Sequence, residues 1–400
     1  MKKILFMMYD MHCGGVEKAL ISLLNEIANT EYSITLLLLN RYGEYIDDIP
    51  NWVDIRTLEM PVELKYEILF GNRMAIKKLF FEKKYFNFIK KLCKVIHSKI
   101  IGKPRTIQQI LEYSDKALPV YYESYDLAID FQGLGSGLFN TFYVAKKIIA
   151  KNKATWIHND VSIIKENVLW VSEYYNEYKK IFSVSKRVEI EFLKLFPNLK
   201  DKSDIFYNIL PVENILKLSN EDILCPNYNA QTCILSVGRL SYQKGYDIAF
   251  KAIAKLVQEK YDFKYYIIGE GELRTELENL ISQYELSDVI VLLGFQNNPY
   301  PYINACDIYF QPSRFEGYCL TLGEAKIFNK PIISTDFAGA REQIEDGKTG
   351  IIINCNEDEM YGALKNMLDD NSLRRKFSLN LEEQIKGTIN DLDKLYQLSH

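Results

Sequence analysis

Residues 308–325 read IYFQPSRFEGYCLTLGEA, which is a short apolar run, a turn and the start of a helix. The apolar run Ile308–Gln311 predicts a buried strand, and Thr321–Phe328 predicts the helix that follows it. A strand followed closely by a helix is the repeating unit of a parallel sheet. This stretch therefore predicts an α/β fold.

The same stretch carries two carboxylates, Glu316 before the predicted helix and Glu324 inside it. Gly317 would let the backbone approach a ligand closely, and backbone N–H groups at the start of the helix would point at an anion. Those N–H groups belong to Tyr318, Cys319 and Leu320. The pattern predicts a site for a ligand with both hydroxyl and anionic groups. These residues alone favour equally an alternative in which Glu316 caps the helix and Glu324 is solvated.

Short apolar runs alternate with longer helical stretches along the whole chain. In the first half, strands are predicted at Lys3–Met8, Ser33–Leu39, Leu127–Phe131, Ala154–His158 and Ile181–Val184. In the second half, they are predicted at Cys233–Val237, Tyr265–Ile268, Val289–Leu292, Ile308–Gln311, Pro331–Ser334 and Gly350–Ile353. We interpret this as two doubly wound Rossmann-like domains, 1–207 and 208–383, with a terminal helix, 384–400, that packs back on the first.

Two cations follow the first predicted strand of the second half. Gly238 and Arg239 come directly after the apolar run, and Lys244 lies five residues beyond Arg239 in a loop. Positive charge at the end of a parallel strand suits a pyrophosphate that must leave with its charge neutralised. An isolated Arg or Lys on a loop is more often surface charge. Their coincidence with the two carboxylates favours the functional interpretation.

Two further sets of candidate site residues follow strands of the first half. Gly14 and Gly15 lie between the first strand and the helix that begins at Val16, which predicts a second anion site. The dinucleotide-binding pattern G-x-G-x-x-G is absent there. His158 ends another predicted strand, where open α/β sheets place their sites. The alternative is that His158 is a structural histidine held by hydrogen bonds. Its position at the end of a strand favours a functional role.

The composition describes an ordinary soluble protein, with 48% apolar and 26% charged residues. Neither a secretory signal nor an apolar stretch of roughly 20 residues is present, so we expect a cytoplasmic protein. Seven cysteines without a C-x-x-C pair and only four histidines predict neither disulfides nor a zinc site. The D-x-D spacing at Asp391 and Asp393 falls in a polar helix, and we interpret it as solvated surface. No metal is expected.

Together these residues resemble the family 4 retaining glycosyltransferases of the GT-B fold, over almost the whole chain. Glu316 and Glu324 match the E-x7-E motif of that family, and Arg239 and Lys244 match its phosphate-binding pair. In the first half, the loop at Gly14 and Gly15 looks like the family's glycine loop, and His158 matches its donor-site histidine. The departure is Tyr318-Cys319, where the family often has Phe-Gly.

The resemblance implies a role for each matched residue. Glu316 would contact hydroxyl groups of a donor sugar, and Glu324 would contact the ribose. The base would be flanked by Gly269, Gly271, Phe295 and Gln296. A side chain at Cys319 would narrow the phosphate loop and alter the fit of the donor.

The activity implied is transfer of a hexose or N-acetylhexosamine from a nucleotide-diphosphate sugar to a glycan, glycolipid or lipid-linked acceptor. Attack would come from the front face of the sugar, with a phosphate oxygen of the donor taking the acceptor's proton. No metal and no cofactor are expected, because the nucleotide sugar is a substrate. Family frequency favours a UDP-sugar.

The segment 73–105 contains eleven Lys or Arg residues and a single acid, Glu82, and it mixes the lysines with aromatic residues. Such a basic amphipathic stretch favours an anionic membrane surface, which would place the protein on the inner face of the plasma membrane. The alternative, equally favoured, is a helix with an apolar core face and solvated lysines. Nucleic acid is disfavoured as a partner, because the second half of the chain is acidic.

Other functions fit the same two-domain plan. A nucleotide-sugar epimerase or a phosphorylase would bind related ligands without transfer to an acceptor chain. A catalytically silent GT-B binding protein would keep the fold alone. Such a protein would more readily have lost one of Glu316, Glu324, Arg239 or Lys244, and all four are present.

Overall fold

The computed structural model describes residues 1–27, 30–69, 106–134, 137–164, 168–222, 232–384 and 391–400. The strands of the first sheet are β1 (Lys2–Met8), β2 (Tyr32–Leu38), β3 (Asp54–Thr57), β4 (Tyr121–Asp130), β5 (Ile148–Ile157), β6 (Lys180–Ser183) and β7 (Ser203–Ile205). Those of the second are β8 (Thr232–Val237), β9 (Phe263–Ile268), β10 (Ile290–Gly294), β11 (Ile308–Gln311), β12 (Ile332–Thr335) and β13 (Gly350–Ile353).

Each sheet is doubly wound. The first has the order β3-β2-β1-β4-β5-β6-β7 and the second β10-β9-β8-β11-β12-β13, with neighbouring strands parallel throughout. The order reverses beside the first strand of each sheet, between β1 and β4 and between β8 and β11. Such switch points leave a crevice at the carboxyl ends of the strands. The predicted α/β fold with two Rossmann-like domains is confirmed.

Helices connect the strands. They are α1 (Gly15–Glu26), α2 (Ile107–Ala117), α3 (Leu138–Lys147), α4 (Ser172–Tyr175), α5 (Lys186–Leu195), α6 (Val212–Leu218), α7 (Tyr246–Gln258), α8 (Arg274–Gln283), α9 (Tyr300–Ala305), α10 (Leu320–Ile327), α11 (Ala340–Gln343), α12 (Glu357–Asp369), α13 (Asn371–Glu382) and α14 (Leu392–Ser399). None of the helices in the described ranges is long and apolar enough to span a bilayer.

The eleven predicted strands are all present, but the first sheet contains two more. The edge strands β3 and β7 are only four and three residues long, and none of their residues is buried. Because edge strands are half solvated, they lack the apolar run on which the prediction relied. Strands β4 and β5 also begin earlier than predicted, because their first residues are mostly exposed or only partly buried and so form no apolar run.

The two domains share part of one apolar core. Successive side chains of a strand point to opposite faces of its sheet. In the second sheet, Ile234 and Tyr265 belong to a cluster made by the second domain alone. Their neighbours Leu235 and Tyr266 belong to a larger cluster that also contains the strands of the first domain. One face of the second sheet is therefore continuous with the core of the first domain.

A carboxylate of the second domain joins the two domains beside the cleft. Glu342 accepts the backbone N–H groups of Lys186 and Arg187, at 3.1 and 3.3 Å, where α5 begins. It also accepts the hydroxyl of Tyr207 at 3.1 Å. A negative charge at a helix N-terminus is favourable because it meets the free N–H groups and the positive end of the helix dipole.

The C-terminal helix α14 lies on the first domain. The ring of Tyr396 stacks on Tyr32 with centroids 5.0 Å apart, and the Asn152 amide donates to the carbonyl of Leu398 at 2.7 Å. Asp391 is 8% exposed and accepts the backbone N–H of Tyr207 at 3.1 Å. The interpretation of the D-x-D sequence as solvated surface is therefore wrong for Asp391. The domain boundary between residues 207 and 208 stays a prediction.

Candidate active site

The predicted site residues lie at the carboxyl ends of strands from both sheets. The loop after β1 carries Gly14 and Gly15, and His158 directly follows β5. The loops after β8, β9 and β10 carry Gly238, Gly269 and Gln296, and the loop after β11 carries Glu316. Contacts across the domain boundary bring these two edges together, as described below.

Glu316 is held by three side chains of its own domain. Its carboxylate accepts the Nζ of Lys244 at 2.7 Å, the Nε2 of Gln243 at 3.0 Å and the hydroxyl of Ser313 at 2.9 Å. Glu316 is 9% exposed, so the ion pair with Lys244 is sheltered from water. The alternative in which Glu316 caps the helix is wrong, because α10 begins after Cys319 without a side-chain cap.

The loop that carries Lys244 has a fixed shape. A 3-10 turn, Tyr242–Lys244, ends at Gly245 in the left-handed conformation. Arg314 pairs with both oxygens of Asp247 at 2.8 and 2.6 Å, and its guanidinium lies 4.0 Å from the centre of the Tyr242 ring. Burial, the largest single effect, favours the neutral amine of Lys244, but the charge of Glu316, the nearby Cys319 and the hydrogen bond to Glu316 together raise the pKa of Lys244. Lys244 is therefore a buried cation.

Arg239 contrasts with Lys244. It is exposed, and among the described residues its guanidinium has neither a hydrogen-bond nor an ion-pair partner. Its backbone carbonyl accepts the N–H of Ser241 at 2.9 Å. Burial raises the pKa of both Cys13 and Glu17 in the first domain, and the charge of Arg239 is close enough to oppose both shifts. The arrangement leaves one cation, next to Gly238, available for an anion in the cleft.

Gly317 is where the two halves of the site touch. A Cβ placed on Gly317 would lie 1.8 Å from the carbonyl oxygen of His158, and neither backbone can yield easily. The hydroxyl of Ser185 also donates to the carbonyl of Gly317, at 3.1 Å. Only glycine allows this approach. The contact places the first carboxylate loop directly against the predicted histidine.

His158 is a neutral imidazole. It is buried, and its ring lies 4.7 Å from that of Phe131 between centroids. Burial lowers the pKa of His158 to about 3, while a hydrogen bond to the backbone of Phe131 opposes the shift. Its Nε2 has no hydrogen-bond partner among the described residues. If the ring donates to the Phe131 carbonyl through Nδ1, Nε2 is a free acceptor, suited to a hydroxyl group.

Glu324 lies on α10 and is 1% exposed, so the alternative in which it is solvated is wrong. Its carboxylate contacts the ammonium of Lys18, on α1 of the first domain, at 2.5 Å. The same ammonium lies 4.8 Å from the centre of the Tyr300 ring. The second acid of the motif is thus paired with a cation from the opposite domain.

The N-terminus of α1 already holds a carboxylate of the chain. Gly14 precedes α1 without a side-chain cap, and Glu17 lies in the first turn of the helix. A Cβ on Gly14 would lie 2.2 Å from Oε2 of Glu17, so that carboxylate rests on the glycine loop. Burial and the nearby charge of Asp10 raise the pKa of Glu17 to about 7, despite a backbone hydrogen bond that lowers it.

The loops after β8, β9 and β10 form one wall of the cleft. The N–H of Gly238 donates to Ile268 at 2.9 Å, and that of Gly269 donates to Gly294 at 2.8 Å. A Cβ on Gly271 would lie 2.3 Å from the carbonyl of Leu240. Phe295 and Gln296 follow Gly294, and Gln296 donates to the carbonyl of Leu293 at 2.9 Å. The predicted base-flanking residues therefore lie beside the predicted phosphate-binding loop.

Cys319 occupies a conformation that favours glycine. Its φ is +67°, in the left-handed region, and it directly precedes α10. Leu320 begins that helix, and the carbonyl of Tyr318 accepts the amide of Gln343 at 2.5 Å. Burial raises the pKa of Cys319 to about 12, so the thiol is uncharged at neutral pH. The side chain of Cys319 stands where glycine would have only a hydrogen atom, at a strained backbone position. Its neutral thiol adds no charge near the phosphate loop.

Sequence reasoning missed several residues of this site. Gln243 and Ser313 lie in the two quoted motifs, but nothing in the pattern indicated that they bind Glu316. Lys18 lies at the end of the glycine-loop stretch but no role was predicted for it, and Tyr300 lies in no motif. Within the described ranges, no group of three or more His, Cys, Asp or Glu side chains could hold a metal ion.

Known proteins resemble this chain both over its second domain alone and over nearly its whole length. The sequence model of the family "Glycosyl transferases group 1" matches residues 226–384, which include the paired carboxylates and both cations. A curated relative of nearly the same length is the N-acetylgalactosamine-N,N'-diacetylbacillosaminyl-diphospho-undecaprenol 4-alpha-N-acetylgalactosaminyltransferase of Campylobacter jejuni, 29% identical over 97% of this chain and 96% of that protein. This chain is a glycosyltransferase.

Two other proteins extend the comparison. The poly(ribitol-phosphate) alpha-N-acetylglucosaminyltransferase of Staphylococcus aureus is 21% identical over 82% of the glycosyltransferase and 66% of the relative. The crystal structure of HepE from Anabaena, in complex with UDP and glucose, superposes with a TM-score of 0.66 at 17% identity, covering 96% of this chain and 94% of that chain. The glycosyltransferase therefore has the GT-B fold, as expected.

Proposed function

We propose that this glycosyltransferase transfers a hexose or N-acetylhexosamine from a UDP-sugar to a glycan, glycolipid or lipid-linked acceptor. We propose further that it retains the anomeric configuration and needs no metal. The observation that carries the proposal is the cluster around Glu316. It joins a buried carboxylate to the cation Lys244, next to the unpaired cation Arg239, against the neutral His158 of the other domain.

The charges of the cluster suit departure of a nucleoside diphosphate. When the bond from the anomeric carbon to the β-phosphate breaks, negative charge develops on the phosphate. Arg239 and Lys244 supply two positive charges there, and the N-terminus of α10 supplies N–H groups. Cations fixed by the protein do for the phosphate what a divalent metal does in other transferases.

The hydrogen-bond acceptors of the cluster suit the hydroxyl groups of the sugar nucleotide. Glu316 can accept hydrogen bonds from sugar hydroxyls with its remaining lone pairs, while the ion pair with Lys244 holds the carboxylate in place. Nε2 of His158 can accept one more. Glu324 would accept the ribose hydroxyls. Each group orients the donor without forming a covalent bond to it.

Retention follows from front-face attack. The oxygen of the acceptor bonds to the anomeric carbon on the face from which the diphosphate departs. The bond from that carbon to the β-phosphate oxygen breaks with its electron pair, and the acceptor's proton passes to that phosphate. The C. jejuni and S. aureus relatives are both named for an alpha linkage. A retaining enzyme makes such a linkage from an α-linked UDP-sugar.

Lipid-linked and glycan acceptors are supported by the same relatives, whose names specify a diphospho-undecaprenol saccharide and poly(ribitol-phosphate). The predicted membrane-binding segment 73–105 lies outside the described residues. A peripheral position on the inner membrane face thus stays a prediction. The expectation that nucleic acid is not a partner also stays a prediction.

The test is a donor screen with product analysis. Wild type is incubated with UDP-glucose, UDP-N-acetylglucosamine or UDP-N-acetylgalactosamine, with and without EDTA, and UDP release is measured. We expect release from one donor, unaffected by EDTA, and lost in Glu316→Gln. The matched control is Glu278→Gln, which removes an exposed carboxylate of the same domain that pairs with Arg274.

NMR of the product then gives the configuration at the anomeric carbon. An inverted product would refute retention, and loss of activity with EDTA would refute metal independence. Epimerised nucleotide sugar in place of UDP release would favour an epimerase. If no UDP-sugar or GDP-sugar were consumed, the assignment of this cluster to the donor would fail.

A further inference from the structure

The ion pair between Lys18 and Glu324 crosses the cleft. Lys18 belongs to the first turns of α1, directly after the glycine loop, and Glu324 belongs to α10 of the second domain. Their charged atoms are 2.5 Å apart. The side chain of Lys18 is 25% exposed and that of Glu324 is 1% exposed. The pair is therefore largely sheltered from solvent screening.

Glu324 has little else to satisfy it. Apart from their contacts with Lys18 and the hydroxyl of Tyr300, its oxygens have no hydrogen-bond partner within the described residues, and both are inaccessible to solvent. Other groups nearby are phenols. Tyr300 touches the pair from α9, and the charge of Glu324 helps to raise the pKa of Tyr300 to about 12, after the larger effect of burial. Lys18 is thus the group that compensates this buried charge.

We propose that Lys18 is a positioning residue of the donor site, which orients the carboxylate of Glu324 to accept the ribose hydroxyls of the nucleotide. The inference rests on the proposed function, because it needs a nucleotide in the cleft. It adds a residue of the first domain to a subsite that the sequence placed wholly in the second. The donor site is then complete only when the two domains are together.

A carboxylate has enough acceptor positions for Lys18 and a ribose together. Both oxygens of Glu324 are covered in this structure, so α1 and α10 must move apart before a nucleotide can reach them. A carboxylate offers about four lone-pair positions, and the ammonium occupies one oxygen, Oε1. The remaining positions can accept hydroxyl hydrogens. Without Lys18, Glu324 would be a buried charge without a counter-charge, which is strongly unfavourable. It would then move toward other partners, and that movement removes an acceptor from the ribose.

The test measures nucleotide binding by calorimetry. UDP and GDP are titrated into wild type, and the tighter ligand is compared with its 2′,3′-dideoxy analogue. For Lys18→Met we expect roughly ten-fold weaker binding of the ribonucleotide, a typical coupling for residues in contact. Binding of the dideoxy analogue should be unchanged, because it cannot use Glu324. Lys18→Arg should restore most of the affinity.

A matched control breaks another ion pair between the domains. Arg187 and Asp336 lie 3.3 Å apart and join α5 to the loop after β12, without touching Glu324. Arg187→Met should leave both affinities unchanged. Lys18→Gln is measured beside Lys18→Met, so that the test does not depend on the folding of one variant. Thermal unfolding confirms that each variant is folded.

Each outcome has one meaning. If ribonucleotide and dideoxy analogue weaken equally in the Lys18 variants, Lys18 acts on the whole site and the inference is refuted. Unchanged ribonucleotide binding refutes it as well, while leaving the proposed function intact. If wild type binds neither UDP nor GDP, the proposed function itself fails and the inference fails with it.

Discussion

Replacing Lys244 with methionine tests the ion pair at the centre of the site. Methionine keeps the length and apolar stem of the side chain but removes its charge. Glu316 would remain buried and charged, with only Gln243 and Ser313 to accept from. Removing one partner of a buried pair costs about 3–5 kcal/mol. Because two hydrogen bonds to Glu316 survive, we expect the lower end of that range, about 3 kcal/mol.

Urea unfolding can locate this loss in the second domain. The three tryptophans, Trp52, Trp156 and Trp170, all lie in the first domain, so fluorescence reports that domain and far-UV circular dichroism reports both. With a slope of about 2 kcal/mol per molar urea, the second domain's midpoint should fall by roughly 1.5 M. The fluorescence transition should move less.

Two further variants complete the cycle. Lys244→Met with Glu316→Gln removes the uncompensated charge, so it should recover much of the lost stability even though activity stays absent. Lys255→Met breaks exposed pairs with Glu357 and Asp358 in the same domain, and it should move neither transition. If Lys244→Met behaved like Lys255→Met, the pair would not be sheltered as described, and our account of Glu316 would be refuted.

Three other predictions concern the surroundings of this pair. Gly317→Ala should abolish UDP release and lower the thermal midpoint, because the new methyl overlaps the His158 carbonyl; a fully active variant would contradict the contact. His158 has a pKa of about 3 when folded and near 6.5 when unfolded, so the unfolded state binds the extra proton and stability is lost as pH falls through that window. His158→Phe should flatten the dependence of unfolding free energy on pH by up to about 1.4 kcal/mol per unit, and an unchanged slope would show that the imidazole is charged. The pKa of Glu17 is raised to about 7, so stability should fall as pH rises from about 4.5 to 7; Glu17→Gln should remove that fall, as measured by urea unfolding at pH 5 and pH 8.

Much of the fold could be predicted from the sequence because strands buried on both faces are apolar throughout. β1 is a continuous apolar run after its two leading lysines, and β11 is one up to Gln311. The order of strands and helices then allows little but parallel sheets. The short edge strands β3 and β7 were missed, since pairing on one side requires no apolar run. Their place in the sheet depends on neighbours that are distant in the sequence.

The site residues, like the strands, could be predicted only in part from the sequence. The spacing of Glu316 and Glu324, and of Arg239 and Lys244, can be read from two short motifs, because each motif spans one loop and the helix after it. The resemblance marked Cys319 as a departure from glycine, but its positive φ appears only in the structure.

Only the tertiary structure decided which charges meet. Glu316 pairs with Lys244 of another loop, and Glu324 pairs with Lys18, from the opposite domain. A local pattern specifies an element and the face on which a side chain lies, but an ion pair depends on how two elements pack in space. No sequence pattern predicts a role for Lys18. Glu324 becomes its neighbour only when the two sheets bring their carboxyl edges together.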